Sequence, residues 1–317
     1  MWEFIELAFP YALIFTAPIL VAALGGLLSE RSGVVNIGLE GLMIVGTFAA
    51  AFVTSSFYES MGNGAIWLGL LSGAIAGGLF SLLHAYASIN LKANQIISGI
   101  AINMMAVALT TFLARDITGS GTIKVVKGFT RQAVPGLSEI PVVGQLFFQK
   151  SYITTYIVLA ITLLVWFFVN KTIKGTQLKA CGENPQAAES VGINVIRVRY
   201  FGVVASGVLA GLGGALIVLT YHSEFNGSVA GLGYLALATL IFGKWDPVKV
   251  LGAAFFFGFA RTLATMSSVN EVLKQLSLPM QFYNALPYVI TLIALAMFSK
   301  NAVGPKAAGE PYEPGKR

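Results

Sequence analysis

One carboxylate stands well inside an apolar stretch of this chain. It is Glu40, four residues after Asn36 in the run Arg31-Ser-Gly-Val-Val-Asn-Ile-Gly-Leu-Glu-Gly41. In a helix the two side chains would lie one turn apart on the same face, although Gly33, Gly38 and Gly41 favour a broken or re-entrant segment. An ionisable group at such depth costs about 2.5–3.5 kcal/mol on insertion scales and usually faces a cavity or a partner. A second polar set follows in Lys92-Ala-Asn-Gln-Ile-Ile-Ser-Gly99 and continues to Asn103. Asn94 and Ser98 share a helical face with Gln95 beside them, and Asn103 lies about 2.5 turns beyond Asn94, nearly opposite. Asn36, Glu40, Asn94, Gln95, Ser98 and Asn103 are therefore the candidates for a path that offers hydrogen bonds to a polar, uncharged solute. The same groups equally suit the knitting of one helix to another, and residue types alone leave both readings open.

Catalysis has no comparable constellation. The chain contains no G-x-x-x-x-G-K-[ST], so it has no phosphate loop of its own, and neither H-E-x-x-H nor G-x-S-x-G is present. His84 and His222 are distant in sequence, and a single cysteine, Cys181, excludes an internal disulfide or a cysteine-based zinc site. Gly211-Leu-Gly-Gly has the flavour of a dinucleotide loop but sits in an apolar stretch with no strand before it. No cofactor and no metal are expected. His84 is expected to be packed, and Arg261 to snorkel or to pair with another group.

The elements that must position these residues are membrane helices. Of 317 residues, 56% are hydrophobic and 11% charged, less than half the usual charged fraction of about 25%, and mean hydropathy is +0.76. A water-soluble enzyme, a nucleic-acid binder and a disordered scaffold are all disfavoured by that arithmetic. With spans of roughly 20 residues, nine are expected, within a range of eight to ten: 8–28, 34–54, 65–87, 93–113, 151–170, 200–220, 231–248, 250–268 and 284–299. The class is an all-α polytopic bundle. Glu3 and Glu6 without a leading Lys or Arg argue against a cleavable signal. An N-terminus outside and a C-terminus inside place thirteen of the twenty Lys and Arg on the cytoplasmic side, which gives the pI of 9.3 a topological meaning. Residues 1–300 then form the membrane domain, with an outer loop at 114–150 and an inner loop at 171–199; the tail 301–317, polar and rich in Pro and Gly, is expected to be exposed and mobile.

Small residues recur at helical spacing: Gly69, Gly73 and Gly77 in the third expected span, Gly207 and Gly211 in the sixth. Such spacing lets backbones approach closely, which is how helices associate in lipid. In the inner loop, Asn184 is a good N-cap, Pro185 fits the first helical position and Gly192 is placed as a stop. The result is a helix of about two turns over 185–191, too short to persist unless something packs on it.

Three segments carry a resemblance: Ser32-Gly-Val-Val-Asn-Ile-Gly-Leu-Glu-Gly-Leu-Met43, Ala93-Asn-Gln-Ile-Ile-Ser-Gly-Ile-Ala-Ile-Asn103 and Gly182-Glu-Asn-Pro-Gln-Ala-Ala-Glu-Ser-Val-Gly-Ile193. From about residue 8 to 300 the chain resembles the inner-membrane permease subunits of ABC importers, in the branched-chain amino acid/ribose-type group. Within that group it is similar to the nucleoside and simple-sugar branch, and to the guanosine-type permeases of Gram-positive bacteria. The resemblance implies an ATPase subunit on the cytoplasmic side, a second related permease, a substrate-binding lipoprotein outside, and a small polar solute such as a nucleoside as cargo. It makes the short inner helix a coupling helix, with Glu183, Asn184, Pro185, Gln186, Ala187, Ala188, Glu189, Val191 and Gly192 as the ATPase contacts. A simple sugar or a branched-chain amino acid would make similar demands on the path. A secondary transporter driven by an ion gradient is the alternative of another class; it normally needs acid or acid–base relays within the membrane, and Glu40 is nearly alone.

Overall fold

The computed structural model describes residues 2–266 and 303–315, together with residues 285, 289, 292 and 293. The described part is helical: α1 (Trp2–Arg31), α2 (Leu39–Met61), α3 (Asn63–Ala85, extended by a π-helical turn Tyr86–Asn90), α4 (Gln95–Thr118), α5 (Ile153–Lys171), α6 (Ile173–Glu183), α7 (Pro185–Ser190), α8 (Val195–Ile217, extended by a π-helical turn Val218–His222), α9 (Leu232–Phe242) and α10 (Pro247–Met266). Among the described residues seven helices are long and apolar enough to cross a bilayer: α1 from Ile5, α2, α3 with its π turn, α4, α5, α8 with its π turn, and α10.

The expected span 231–248 is corrected to α9, which has only 11 residues. At 1.5 Å per residue it is about 16 Å long, roughly half the hydrocarbon thickness. It stops because the chain turns sharply after Gly243, with Lys244 and Trp245 both in the left-handed region at φ 49° and 53°. The expected ninth span, 284–299, lies almost entirely outside the described residues. The expected span 34–54 is helical only from Leu39; residues 32–38 are a non-helical link, and Ser32, Val34 and Asn36 within it are fully buried.

The core is built on α1, which is buried along almost its whole length and packs against α8, α10 and α9. Its apolar wall includes Ile19, Leu20, Leu24 and Leu27, which meet Leu42 and Met43 of α2 and Leu216 and Ile217 of α8 in one cluster. Against this stands a junction of α2, α3 and α8 made of backbone. A Cβ placed on Gly77 would strike the Gly207 carbonyl, one on Gly211 the Gly73 carbonyl, and one on Gly46 the Gly211 carbonyl; on Gly73 it would come within 2.7 Å of the Ala215 methyl. Gly69 lies lower in the same seam, where a Cβ would strike the Thr54 hydroxyl of α2. The small-residue spacing therefore sets three helices in contact, with Gly46 of α2 an unforeseen member. At the end of the bundle remote from α7, the loop after α4 pairs β1 (Ile123–Lys124) antiparallel with β2 (Glu224–Phe225), and Arg131 stacks over Tyr11 at 4.3 Å from the ring centroid.

Candidate functional site

The non-helical link 32–38 leaves backbone groups without helical partners inside the protein, and buried side chains supply them. Gln95 Oε1 accepts from the Val35 N–H at 2.7 Å. His84 Nε2 lies 3.0 Å from the Val35 carbonyl and Nδ1 lies 2.9 Å from the Ser98 hydroxyl. Because a carbonyl can only accept, the imidazole carries its proton on Nε2, and Ser98 donates to Nδ1. Asn36 Oδ1 accepts from its own link, at the Gly38 N–H (3.1 Å), while its amide donates to Ser206 Oγ of α8 at 3.0 Å. Asn103 Oδ1 accepts from the Gly41 N–H at 2.7 Å, and its amide donates to the Ile37 carbonyl at 3.0 Å and to the Tyr234 hydroxyl at 3.3 Å.

The structure thus draws Asn36, Gln95, Ser98 and Asn103 into one brace around the link and separates Asn94 from them. Gln95, Gly99, Ile102, Asn103 and Ala106 form the buried face of α4; Asn103 is on the side of Gln95, not isolated from the set. Asn94 is exposed and serves as N-cap, its Oδ1 accepting from the Ile96 and Ile97 N–H groups at 3.0 and 3.1 Å. The hydrogen bonds of this set are made within the protein, while Gln95 Nε2 has no partner among the described groups.

Glu40 braces a helix end. Its carboxylate accepts from the Gly231 N–H at 2.9 Å and the Gly233 N–H at 2.7 Å, so it caps the N-terminus of α9, where unpaired N–H groups and the helix dipole favour a negative charge. Gly233 is required for this approach, because a Cβ there would strike the Glu40 backbone. Arg261 of α10 is in electrostatic range of Glu40, Tyr221 and His222. Tyr234 is the residue that sequence reading missed here: its ring is half exposed while its hydroxyl is held by Asn103 one helix away. Nothing local marks it, since the contact joins residues 131 apart.

At the end of the bundle where the inner loop lies, α6 and α7 form a hairpin. Asn184 caps α7 through the Ala187 N–H at 3.0 Å, and Pro185 occupies the first helical position. Of the expected contact residues, Pro185 and Ala188 are buried against the body and seat the helix, whereas Glu183, Asn184, Gln186, Ala187, Val191 and Gly192 are exposed and Glu189 is half-buried. Val191, an apolar side chain, is 74% exposed. The hairpin is tied to α1 and to the α9–α10 turn by residues that carry no sequence signature. Arg31 meets Glu183 at 3.8 Å and donates to the Trp245 carbonyl at 3.0 and 3.2 Å, and Trp245 Nε1 donates to Glu30 Oε2 at 2.6 Å. Glu30 is as buried as Glu40, so Glu40 is not the lone acid of the helical core.

The tail, expected to be exposed, is folded onto this hairpin over the described residues 303–315. The Ala307 N–H donates to the Gly182 carbonyl at 2.8 Å, and the Gly315 N–H donates to Glu189 Oε2 at 3.2 Å. Tyr312 is buried in a cluster with Cys181, Ala188 and Val195. Burial pushes the Cys181 thiol up to about 11, against the opposing pull of the Arg199 guanidinium. A thiol that stays protonated and covered does not react. A hydrophilic maleimide at pH 8 should therefore leave Cys181 unmodified in the folded protein and label it fully after denaturation, which intact-mass measurement reads directly.

Comparison with known proteins matches residues 9–295 to the family described as branched-chain amino acid transport system, permease component. The chain is 44% identical over 317 residues to the guanosine ABC transporter permease protein NupQ of Bacillus subtilis, covering 99% of both chains. It is 40% identical over 301 residues to the nucleoside ABC transporter permease protein NupC of Lactococcus lactis subsp. cremoris, covering 95% of this chain and 94% of that one. A second Bacillus subtilis protein, the guanosine ABC transporter permease protein NupP, is 27% identical over 245 residues, covering 76% of this chain and 69% of its own.

Proposed function

Because the chain belongs to the branched-chain amino acid transport system permease family, we propose that this multi-pass membrane protein is the permease subunit of an ATP-driven importer and that its cargo is a nucleoside. The likeness to NupQ and NupC over nearly full length supports the nucleoside class. The existence of two guanosine permease proteins in one organism, both similar to this chain, supports a second permease beside it. An ATPase subunit hydrolyses the ATP and docks at the cytoplasmic end, and a binding lipoprotein delivers cargo outside. The N-terminus faces outward, so the α6–α7 hairpin and the tail face the cytoplasm.

The observation that carries the coupling role is α7 itself: a capped two-turn helix outside the spans whose buried side is seated on its own protein and whose Gln186, Ala187, Ser190 and Val191 side is left open. Such a helix does not hold its shape alone in water, and an exposed Val191 fits a partner's groove. Closure of the ATPase pair would carry α7 and bias the bundle between outward- and inward-facing arrangements, since a ligand shifts an equilibrium by its differential affinity for the two states.

Replacing Ala187 with arginine is expected to leave insertion intact and ATP hydrolysis running while uptake of labelled guanosine falls about tenfold or more, equivalent to about 1.4 kcal/mol of coupling. Wild-type uptake per ATP would remove the docking role from α7. Uptake that persists without the ATPase subunit and collapses with an uncoupler would instead assign the protein to gradient-driven transport. Competition by unlabelled purine and pyrimidine nucleosides, glucose and leucine decides the cargo class.

A further inference from the structure

The C-terminal segment makes contacts that the importer reading does not use. Between Gly304 and Gly315 it touches six separate parts of the cytoplasmic end. Gly304 lies on the Trp245 ring at the α9–α10 turn, where a Cβ would come within 3.1 Å. Pro305 and Ala307 meet Gly182 at the end of α6. The Glu310 carbonyl accepts from Arg199 Nη1 of α8 at 3.1 Å, and Arg199 also stacks over the Tyr312 ring at 5.6 Å. Glu313 pairs with Lys92 at 3.7 Å, between α3 and α4, and Gly309 lies beside Val35 of the braced link. The Tyr312 ring and the Gly315 N–H reach α7, at Ala188 and Glu189.

Arg199 is the pivot of this arrangement. It is 1% exposed, and apart from the Glu310 carbonyl its Nε and Nη2 have no acceptor among the described groups. A buried guanidinium is expensive unless paired, so the tail supplies its one described hydrogen-bond acceptor and the Tyr312 ring beside it. The segment is short, polar at Lys306, Glu310 and Glu313 and rich in Pro and Gly, and it has no apolar core of its own. Its order comes from the body it lies on, and, like α6 and α8, it touches both α7 and the link 32–38.

We propose that the C-terminal segment 305–315 is a positioning element of the coupling helix, joining α7 to the link that holds Asn36 and leads into α2 at Glu40, so that a push on α7 reaches the braced polar seam. This rests on the importer reading above and names how its coupling helix is held. Tyr312 and the Glu310 carbonyl are the positioning groups: they touch neither cargo nor nucleotide and act through Ala188 and Arg199.

The test uses the assembled transporter with three permease variants: a chain ending after Gly304, Tyr312→Ala, and Tyr312→Phe. Four quantities are read: permease level in the membrane, copurification of the ATPase subunit, ATP hydrolysis, and labelled guanosine uptake. The truncation and Tyr312→Ala should keep insertion and ATPase association but lower uptake per ATP hydrolysed about tenfold or more. Tyr312→Phe, which retains the ring on Arg199 and Ala188, should stay within about twofold. Should the truncated chain fail to insert, Tyr312→Ala carries the test alone. A wild-type uptake-to-ATP ratio in the truncation or in Tyr312→Ala overturns the proposal. So does a fall in uptake that only follows loss of the ATPase subunit, because the tail would then be a docking surface and not a linkage. Ala187→Arg run in parallel separates the two readings: if it uncouples and the tail variants do not, the tail inference fails and the coupling helix stands; if it has no effect, the importer reading of α7 fails first.

Discussion

Glu40→Ala should abolish most uptake, about tenfold or more, while the permease stays at its normal level in the membrane. The carboxylate makes two charge-assisted bonds to the Gly231 and Gly233 N–H groups, and hydrogen bonds to a charged group contribute about 1.5–3 kcal/mol each. Removing it leaves both donors at the start of α9 without an acceptor in a place water does not readily reach. The spans on either side keep their own helical hydrogen bonds, so insertion survives; what is lost is the fixed placement of a half-length helix and of Tyr234 upon it. Glu40→Gln is informative because it keeps size and one acceptor but turns an NH2 toward the second N–H donor, so its uptake should fall between those of wild type and alanine. Immunoblotting of membranes beside guanosine uptake checks the pair. Uptake at the wild-type rate in Glu40→Ala would show that α9 needs no cap for transport.

Gly211→Leu should have the largest structural effect of any single substitution considered. The new side chain would start within the van der Waals envelope of the Gly73 carbonyl and of Gly77, both backbone. Overpacking costs about 1–3 kcal/mol where neighbours are side chains that can turn aside; here no rotamer change relieves it, and α8 must separate from α3. A loss of roughly 4 kcal/mol or more is expected, seen as a steep drop in membrane abundance and in the temperature of inactivation in detergent. Gly252→Leu on α10 is the matched control, because a Cβ there meets nothing within 4 Å and its variant should behave as wild type.

What the sequence made legible is what depends on neighbours along the chain. The Asn184–Pro185 cap, the glycine spacing in α3 and α8, and most apolar spans each reside in a run of a few to twenty residues, and they appear where local rules place them. The expected span 231–248 runs past Phe242, where the apolar run and α9 both end, because the left-handed turn at Lys244–Trp245 is held by Arg31 and Glu30 from more than 200 residues away. The polar residues were recognisable as buried but not by whom they were satisfied: Asn103 reaches Gly41 and Tyr234, contacts 62 and 131 residues away. The tail is the extreme case. Its composition reads as solvated chain, and its order rests on the Arg199 stack and the Gly182 carbonyl, neither of which any pattern within 301–317 announces.

The glycine junction also has a consequence for how the protein is made. Its α3 members leave the ribosome long before its α8 members, since Gly207 follows Gly77 by 130 positions. At roughly 5–20 residues per second, that delay is on the order of ten seconds. During that time α2 and α3 can pair through Gly69 against Ala50 and Thr54 and through Gly73 against the Gly46 carbonyl, but Gly77 has no helix to meet. The bundle is therefore completed late, by α8 arriving at a waiting hairpin. A nascent chain stalled before α8 should be the form most open to membrane proteases and insertion chaperones.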